Sequence, residues 1–416
     1  MSFALAALLV LVLVLTVGAF RADLNVGLLA FAAAYPLGSA AGLAPTEVAA
    51  LFPAQLVLTV LSVSLFFELV GENGTLTRLT GGLLRLVGGD GRWLPVAFFG
   101  VAFGLSALGP GNIAAVALLA PVALPAGVRA GTSPLLMTVA LCTGANAGAF
   151  SPVAVTGSLN AALLAEIGLG GAGLPLQVFA AVAAMQSLSA VGGWVLLRGF
   201  RPVGAVPADR EPVRPAPRLG RRHRLTLLAV LAFLLAVAGF GSSPVAVAFA
   251  LAAVLTAARL ADAGRAVRAL PWSVVLLIAG VGTLVNLLEK TGSLDLLTAL
   301  LARYAAPGTL NALLALVSGL ASLGSSSSGV VMPLFVPLVP DLVAQVGSGN
   351  PVEAVIAVDV GSHMVDVSPL STLGALCLAA LPDGADRAGV FRGLLAWGLA
   401  MALAGALSAF VLLDLL

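Results

Sequence analysis

A chain of 416 residues that is 60% hydrophobic and 9% charged, with a formal net charge of +2 and a mean hydropathy of +1.12, lies far from soluble domains, in which about 25% of residues are charged. Apolar runs of about 20 residues, enough to cross a bilayer as helix, recur along its length and exclude a water-soluble class. These runs lack the polar–apolar alternation of barrel strands, so the chain is expected to be an all-α polytopic membrane protein in contact with lipid. No basic, aromatic-studded surface offers itself to nucleic acid. Cys142 and Cys377 sit inside apolar runs and read as small buried hydrophobes. No Cys/His spacing points to a metal site, and no cofactor is expected.

In chain order, "SFALAALLVLVLVLTVGAF" has no basic residue before it and reads as a first spanning helix over about 2–20, not as a cleaved signal peptide. A second follows over about 25–44 and a third over about 53–71. The amphipathic "TLTRLTGGLLRLVGG" is expected on the membrane surface. Two apolar arms, about 94–107 and 112–126, flank "GLSALGPGN"; each is too short to cross comfortably, so they read as a re-entrant hairpin over about 94–126. A fourth helix, about 132–165, is broken by "TGANAGAFSP". A fifth, about 175–197, closes a first unit of 1–198. Residues 198–224 then carry eight arginines and five prolines against Asp209 and Glu211, which makes 199–224 a solvated linker.

The order repeats over 225–416, with a hairpin at about 310–340 and a broken helix at about 351–381. "GLSALGPGNIAAVALLAPVALP" (104–125) aligns with "GLASLGSSSSGVVMPLFVPLVP" (319–340), and "FSPVAVTGSLNAALL" (150–164) with "VSPLSTLGALCLAAL" (367–381). A constant offset of 215 to 218 residues marks one internal duplication. Five crossings per copy is odd, so the second copy is expected upside down, giving two inverted-topology repeats. With the linker in the cytoplasm and both termini outside, 18 of the 20 basic residues face inward, and only Lys290 and Arg303 fall outside, as the positive-inside rule requires.

Four polar breaks, "LGPGN", "GANAGAFSP", "LGSSSSG" and "VGSHMVDVSP", interrupt the apolar segments at matching places. Non-helical backbone at membrane depth is tolerated where it lines a cavity, and paired interruptions in inverted repeats point to a transporter's central site. Free N–H groups and dipole ends there can hold an anion without a buried arginine. Small residues also serve helix packing, which is the plainer reading for any one of them. As a set, Asn112 and Ser325, Ser326 and Ser327 at the hairpin tips, with Ser151-Pro152, Ser368-Pro369 and Ser371, are the expected substrate ligands. Asp359, His363 and Asp366 lie at helical spacing on one face, and ionisable groups inside a membrane are suspects for proton or cation coupling. Glu68, whose counterpart is the neutral Asn286, reads as structural or interfacial.

Through "SALGP" (106–110), "GANAGAFSPV" (144–153), "VLLIAG" (275–280) and "VDVSPLSTLGAL" (365–376) the chain resembles the MatC-type dicarboxylate (malonate) carriers, within the ion transporter superfamily that includes the divalent anion/sodium symporters. The resemblance covers nearly the full length. It implies hairpins and broken helices around a shared substrate and cation site, a homodimer, elevator-like alternating access, and residence in the plasma (inner) membrane. Ser106, Gly109, Asn146 and Gly324 are then expected beside a coupling cation such as Na+, with Asp359, His363 and Asp366. The symporters carry Ser-Asn-Thr at each hairpin tip, whereas this chain matches only at Asn112 and offers serines around Ser325 to Ser328, so sodium and protons stay open as coupling ions. The resemblance implies uptake of malonate or a C4 acid. A cation/proton antiporter and an exporter of another anion are the alternatives. "GPGNIA" (109–114) fits a loose nucleotide pattern, without the strand before it that such a site needs. A serine protease pairing Ser326 with His363 would leave the duplication unexplained, so no enzyme activity is expected.

Overall fold

The computed structural model describes residues 2–20, 24–75, 93–171, 173–197, 220–306 and 308–414; nearly all of the amphipathic stretch and of the arginine-rich linker lies outside them. The first half runs α1 (Phe3–Phe20), α2 (Val26–Ala40), α3 (Pro45–Ala49), α4 (Ala54–Glu72), α5 (Leu94–Ala107), α6 (Gly111–Arg129), α7 (Pro134–Ala149), α8 (Val155–Glu166) and α9 (Leu174–Leu196). The second runs α10 (Arg221–Leu234), α11 (Pro244–Ala257), α12 (Ala263–Ala269), α13 (Trp272–Lys290), α14 (Ser293–Tyr304), α15 (Leu310–Ser322), α16 (Ser327–Val346), α17 (Pro351–Met364), α18 (Thr372–Ala379) and α19 (Arg387–Ala409). Among the described residues there is no strand. Because α10 begins at Arg221, the last four residues of the expected linker are helical.

Among the described residues six helices are long and apolar enough to cross a bilayer, and side chains such as Leu9, Val12, Leu188, Val191, Leu403 and Leu407 point outward, where lipid replaces water. The protein is an integral membrane protein. Two of the six, α6 and α16, are the second arms of the expected hairpins. At 19 and 20 residues they reach about 28–30 Å at 1.5 Å per residue, longer than the arms read from sequence. The first arms, α5 and α15, have 14 and 13 residues. Capping side chains start several segments: Asn25 Oδ1 accepts from Gly27 N at 2.9 Å, Asn350 Oδ1 from Val352 N at 2.9 Å, and Asp386 Oδ1 from Gly389 N at 2.8 Å. Each satisfies an amide that the first helical turn leaves free.

The halves pack as counterparts. α2 lies along α13 while α11 lies along α4, and α18 meets α6 while α8 meets α16. The equivalent helices α4 and α13 run antiparallel. Pro53, at the start of α4, meets Gly282 toward the end of α13, and Asn286 Nδ2 donates to Leu51 O at 2.8 Å; at the other end Glu68 and Gly71 of α4 share a cavity with Pro271 and Val274.

Close approaches repeat as well. Helix α7 presses Gly144 onto the backbone of Phe99 in α5, and α17 presses Gly361 onto the backbone of Ala315 in α15. After each break, Gly157 sits on the carbonyl of Ser151 and Gly374 on that of Ser368. Only a residue without a β-carbon fits at these places.

The offset of 217 also relates two contacts across the halves. Cys142 in α7 and Cys377 in α18 bring their sulfurs to 3.6 Å; at the equivalent positions Asp359 in α17 accepts a hydrogen bond from Asn160 in α8. Mild oxidation is therefore expected to join the halves covalently, since a disulfide needs the sulfurs only about 1.5 Å closer. In a chain with a protease site inserted after residue 205, iodine treatment followed by cleavage should leave one band on a non-reducing gel and two after reduction. Two bands before reduction would refute this packing.

Candidate functional site

Four interrupted segments meet at the centre of the fold. The break between α5 and α6 turns at Gly109 (φ +136°) and Gly111 (φ +81°), where the ring of Phe67 from α4 covers Gly109. That between α7 and α8 follows Ser151-Pro152: proline disfavours helix in the residue before it and offers no N–H. Ser368-Pro369 does the same between α17 and α18. The fourth break, Leu323 to Ser326, precedes α16, where Ser326 Oγ accepts from Gly329 N at 3.1 Å as a cap.

Asp366 and Asn146 tie these pieces together. Asp366 Oδ1 accepts from Ser327 Oγ, and Oδ2 from Asn146 Nδ2 at 3.3 Å. Asn146 Nδ2 also donates to the carbonyl of His363 at 2.9 Å, while its Oδ1 accepts from Asn112 Nδ2 at 2.7 Å. Ser327 shares a hydrogen with Ser322 Oγ at 2.5 Å and lies 3.1 Å from Ser362 O. Asn112 and Ser327 occupy equivalent positions at the two hairpin tips, so each tip is latched to a broken helix by its own polar side chain. Asn146, Ser322 and Ser362 are fully buried and Asp366 is 5% exposed. Leaving one such group without a partner costs about 1–3 kcal/mol, so the network holds the tips in place.

Around this network lies a narrow cleft of about 10 Å³, lined by Asn112, Ile113, Ser325 to Ser328, Asp366, Thr372 and Leu373, with room for about one water. Helix α18 starts there without a side-chain cap; at the start of α6 Pro110 offers none and Ile113 N donates to Asn112 Oδ1 at 2.9 Å. Both helices begin at the cleft and turn the dipole's positive end toward it. Asn112, Ile113 and Ser328 also border a cavity of about 430 Å³ between α4, α6, α8 and the start of α13, a volume usual for small-ligand sites. Among the described residues no lysine or arginine lines either space; Glu68 lines the cavity and Asp366 the cleft. Glu68, read from the sequence as structural or interfacial, faces the cavity.

Of the expected substrate ligands, the structure brings Asn112, Ser325, Ser326 and Ser327 onto the cleft together, with Asp366 from the coupling set. Ser151, Pro152, Ser368, Pro369 and Ser371 do not line it. Ser368 Oγ donates to Leu323 O at 3.0 Å, fastening the hairpin to the broken helix, and Ser371 Oγ donates to the carbonyls of Asp366 and Ser368. Ser325 Oγ turns back to Ala321 O at 2.6 Å. Among the expected coupling residues, the Gly109 carbonyl accepts from Val155 N at 3.3 Å, and Ser106 is buried away from the cleft with no partner for its hydroxyl among the described residues. Gly324 lies in the turn before the serines. Asp359 and His363 are fully buried one turn apart on α17, with His363 Nδ1 3.0 Å from Asp359 O. Sequence reasoning missed Ser322, Thr372 and Asn160, and left Ser328 of the serine tract out of the ligand set. Ser328 and Thr372 adjoin residues already singled out, while Asn160 is a lone amide in an apolar run.

Residues 1–149 match the family model described as the dicarboxylate carrier protein MatC N-terminus. No curated protein matches the chain. Among solved structures, the YdaH transporter of Alcanivorax borkumensis is similar with a TM-score of 0.56 at 16% identity, over 88% of this chain and 87% of that one. MtrF of Neisseria gonorrhoeae, described within a class of antimetabolite efflux pumps, is similar with a TM-score of 0.56 at 15% identity, over 86% and 81%. At such identities the likeness is one of fold. The matched family and both structures are carriers, transporters or efflux pumps and not enzymes, which supports a transporter.

Proposed function

We propose that the protein is a secondary active transporter of a small dicarboxylate, malonate or a C4 acid. It works by alternating access between two inverted repeats and is coupled to a sodium or proton gradient. The observation that carries this is the cleft where both hairpin tips meet the start of α18, beside a cavity of about 430 Å³. Uncapped N–H groups of α18, hydroxyls and amides supply donors there, with no fixed positive charge among the described residues. A carboxylate could be bound and released without separating a buried ion pair, which costs about 3–5 kcal/mol when one partner is removed. The likeness of residues 1–149 to a dicarboxylate carrier model supports the substrate class. The antiparallel course of α4 and α13 supports the inverted arrangement. The cavity lies at the end of α4 where Arg265 pairs with Glu72 at 2.7 Å, the side that charge placement makes cytoplasmic, which supports an inward-facing state.

In proteoliposomes, labelled malonate or succinate should accumulate when a sodium or a pH gradient is imposed separately, and should stay at equilibrium without one. Failure to transport or bind either acid would overturn the substrate assignment. One observation favours a cation/proton antiporter instead: the ionisable groups lining the cavity and cleft, Glu68 and Asp366, are both acidic. That reading requires vesicle pH to change on adding the cation alone, with no organic acid present.

A further inference from the structure

The contact between Asp359 and Asn160 spans the two halves and belongs to neither hairpin tip. Both residues are buried, Asp359 fully. Asn160 Nδ2 donates to Asp359 Oδ2, while Asp359 Oδ1 and Asn160 Oδ1 have no hydrogen-bond partner among the described residues. One turn further, His363 turns Nδ1 to Asp359 O and to Ser362 Oγ at 3.0 and 3.1 Å, packs its ring edge-on against Phe150 at 4.6 Å, and leaves Nε2 without a partner among the described residues. Among the described residues no positive charge compensates Asp359. Helices α9 and α15, which pack on α17, carry no ionisable side chain, nor does the first part of α16. The ionisable groups on other neighbours, Asp341 on α16, Glu166 on α8 and Arg387 and Arg392 on α19, are all exposed. His363 and Asp366, on or just beyond the same helix, are the buried ionisable groups nearest in sequence.

An ionised carboxylate in this seat would have two acceptor oxygens, its own and the amide's, with nothing to accept from. Desolvating an unpaired charge is costly, and each orphan oxygen adds to that cost. A single hydrogen on Asp359 Oδ1, donated to Asn160 Oδ1, removes the charge and satisfies both oxygens in one cyclic acid–amide pair. At the equivalent place in the other half the seat is filled by Cys142 and Cys377, two neutral side chains, so the fold builds this position for uncharged groups.

We propose that Asp359 is a proton-binding site, held as a neutral acid while Asn160 of the other half is against it. Separation of the pair exposes the acid to water, the O–H bond breaks, the proton goes to solvent and the carboxylate remains; re-pairing requires the proton back. Its use in coupling rests on the alternating-access reading, whereas its existence does not.

Infrared difference spectra of the purified protein at neutral pH, wild type minus Asp359→Asn, test this. The expected result is one carboxylic-acid carbonyl band in the wild type that vanishes in the variant, and that moves to higher frequency in Asn160→Ala, which removes the amide partner. Should Asp359→Asn fail to fold, the shift in Asn160→Ala decides alone. A carboxylate band in place of the acid band, a band that responds to sodium, or no shift on losing Asn160 would overturn the proposal. The readout needs no substrate. Absent dicarboxylate transport would count against the proposed function and leave this site standing, while a missing acid band would remove the site whatever the protein carries.

Discussion

Asp366→Asn is expected to abolish gradient-driven accumulation, with the initial uptake rate falling about a hundredfold or more in proteoliposomes of equal protein content. The carboxylate accepts from Ser327 on one oxygen and from Asn146 on the other. Asparagine keeps one acceptor and turns an NH2 toward the second donor, so either the hairpin tip or Asn146 loses its anchor. A hydrogen bond to a charged group is worth about 1.5–3 kcal/mol, so loss of one such bond together with the ionisable group on the cleft accounts for the size of the effect. Full accumulation by this variant would eliminate a coupling role for Asp366.

The second large effect falls on folding. A β-carbon added at Gly361 would lie 2.6 Å from the Cα of Ala315, and one at Gly144 2.8 Å from the Cα of Phe99. These neighbours are backbone and cannot rotate aside, so α17 must move off α15, or α7 off α5. Overpacking costs about 1–3 kcal/mol where side chains can adjust, and the upper end or beyond is expected here. Gly361→Ala and Gly144→Ala should each lower the melting temperature and the yield of monodisperse protein by similar amounts. Gly170→Ala, with nothing within 4 Å, should change neither. A wild-type melting curve for either of the first two variants would mean that the helices are not in this contact.

Much of this arrangement can be read from residue order. The breaks at Gly109, Ser151-Pro152, Gly324 and Ser368-Pro369 are announced by residues that leave the helix for known steric reasons, and the offset of 215 to 218 pairs them before any contact is known. The length of α6 was not legible. Pro121 and Pro125 lie inside it and make 112–126 look like a short arm, yet the helix continues to Arg129, as membrane helices do when neighbours satisfy the freed carbonyls. The directions of hydroxyls were also hidden. Ser327 and Ser368 are alike in the sequence, but one turns to a carboxylate on the cleft and the other to a backbone carbonyl. Asn160 could not be found at all, because its meaning comes from Asp359, 199 residues away.

The two hairpins do not stand alike against their neighbours. In the second half, Leu277 of α13 lies 2.5 Å from where Gly329 would carry a β-carbon, whereas in the first half the cavity separates most of α4 from α6. One ancestral shape is thus present twice in a single molecule, once shut and once ajar. Under the alternating access proposed above, identical copies would trade these postures at no change in energy, so a preference for one state would have to come from the positions where the copies have diverged. Cysteine at 142 and aspartate at 359 is such a position, and under the proposed alternation exchanging the two residues is expected to shift the balance between the states.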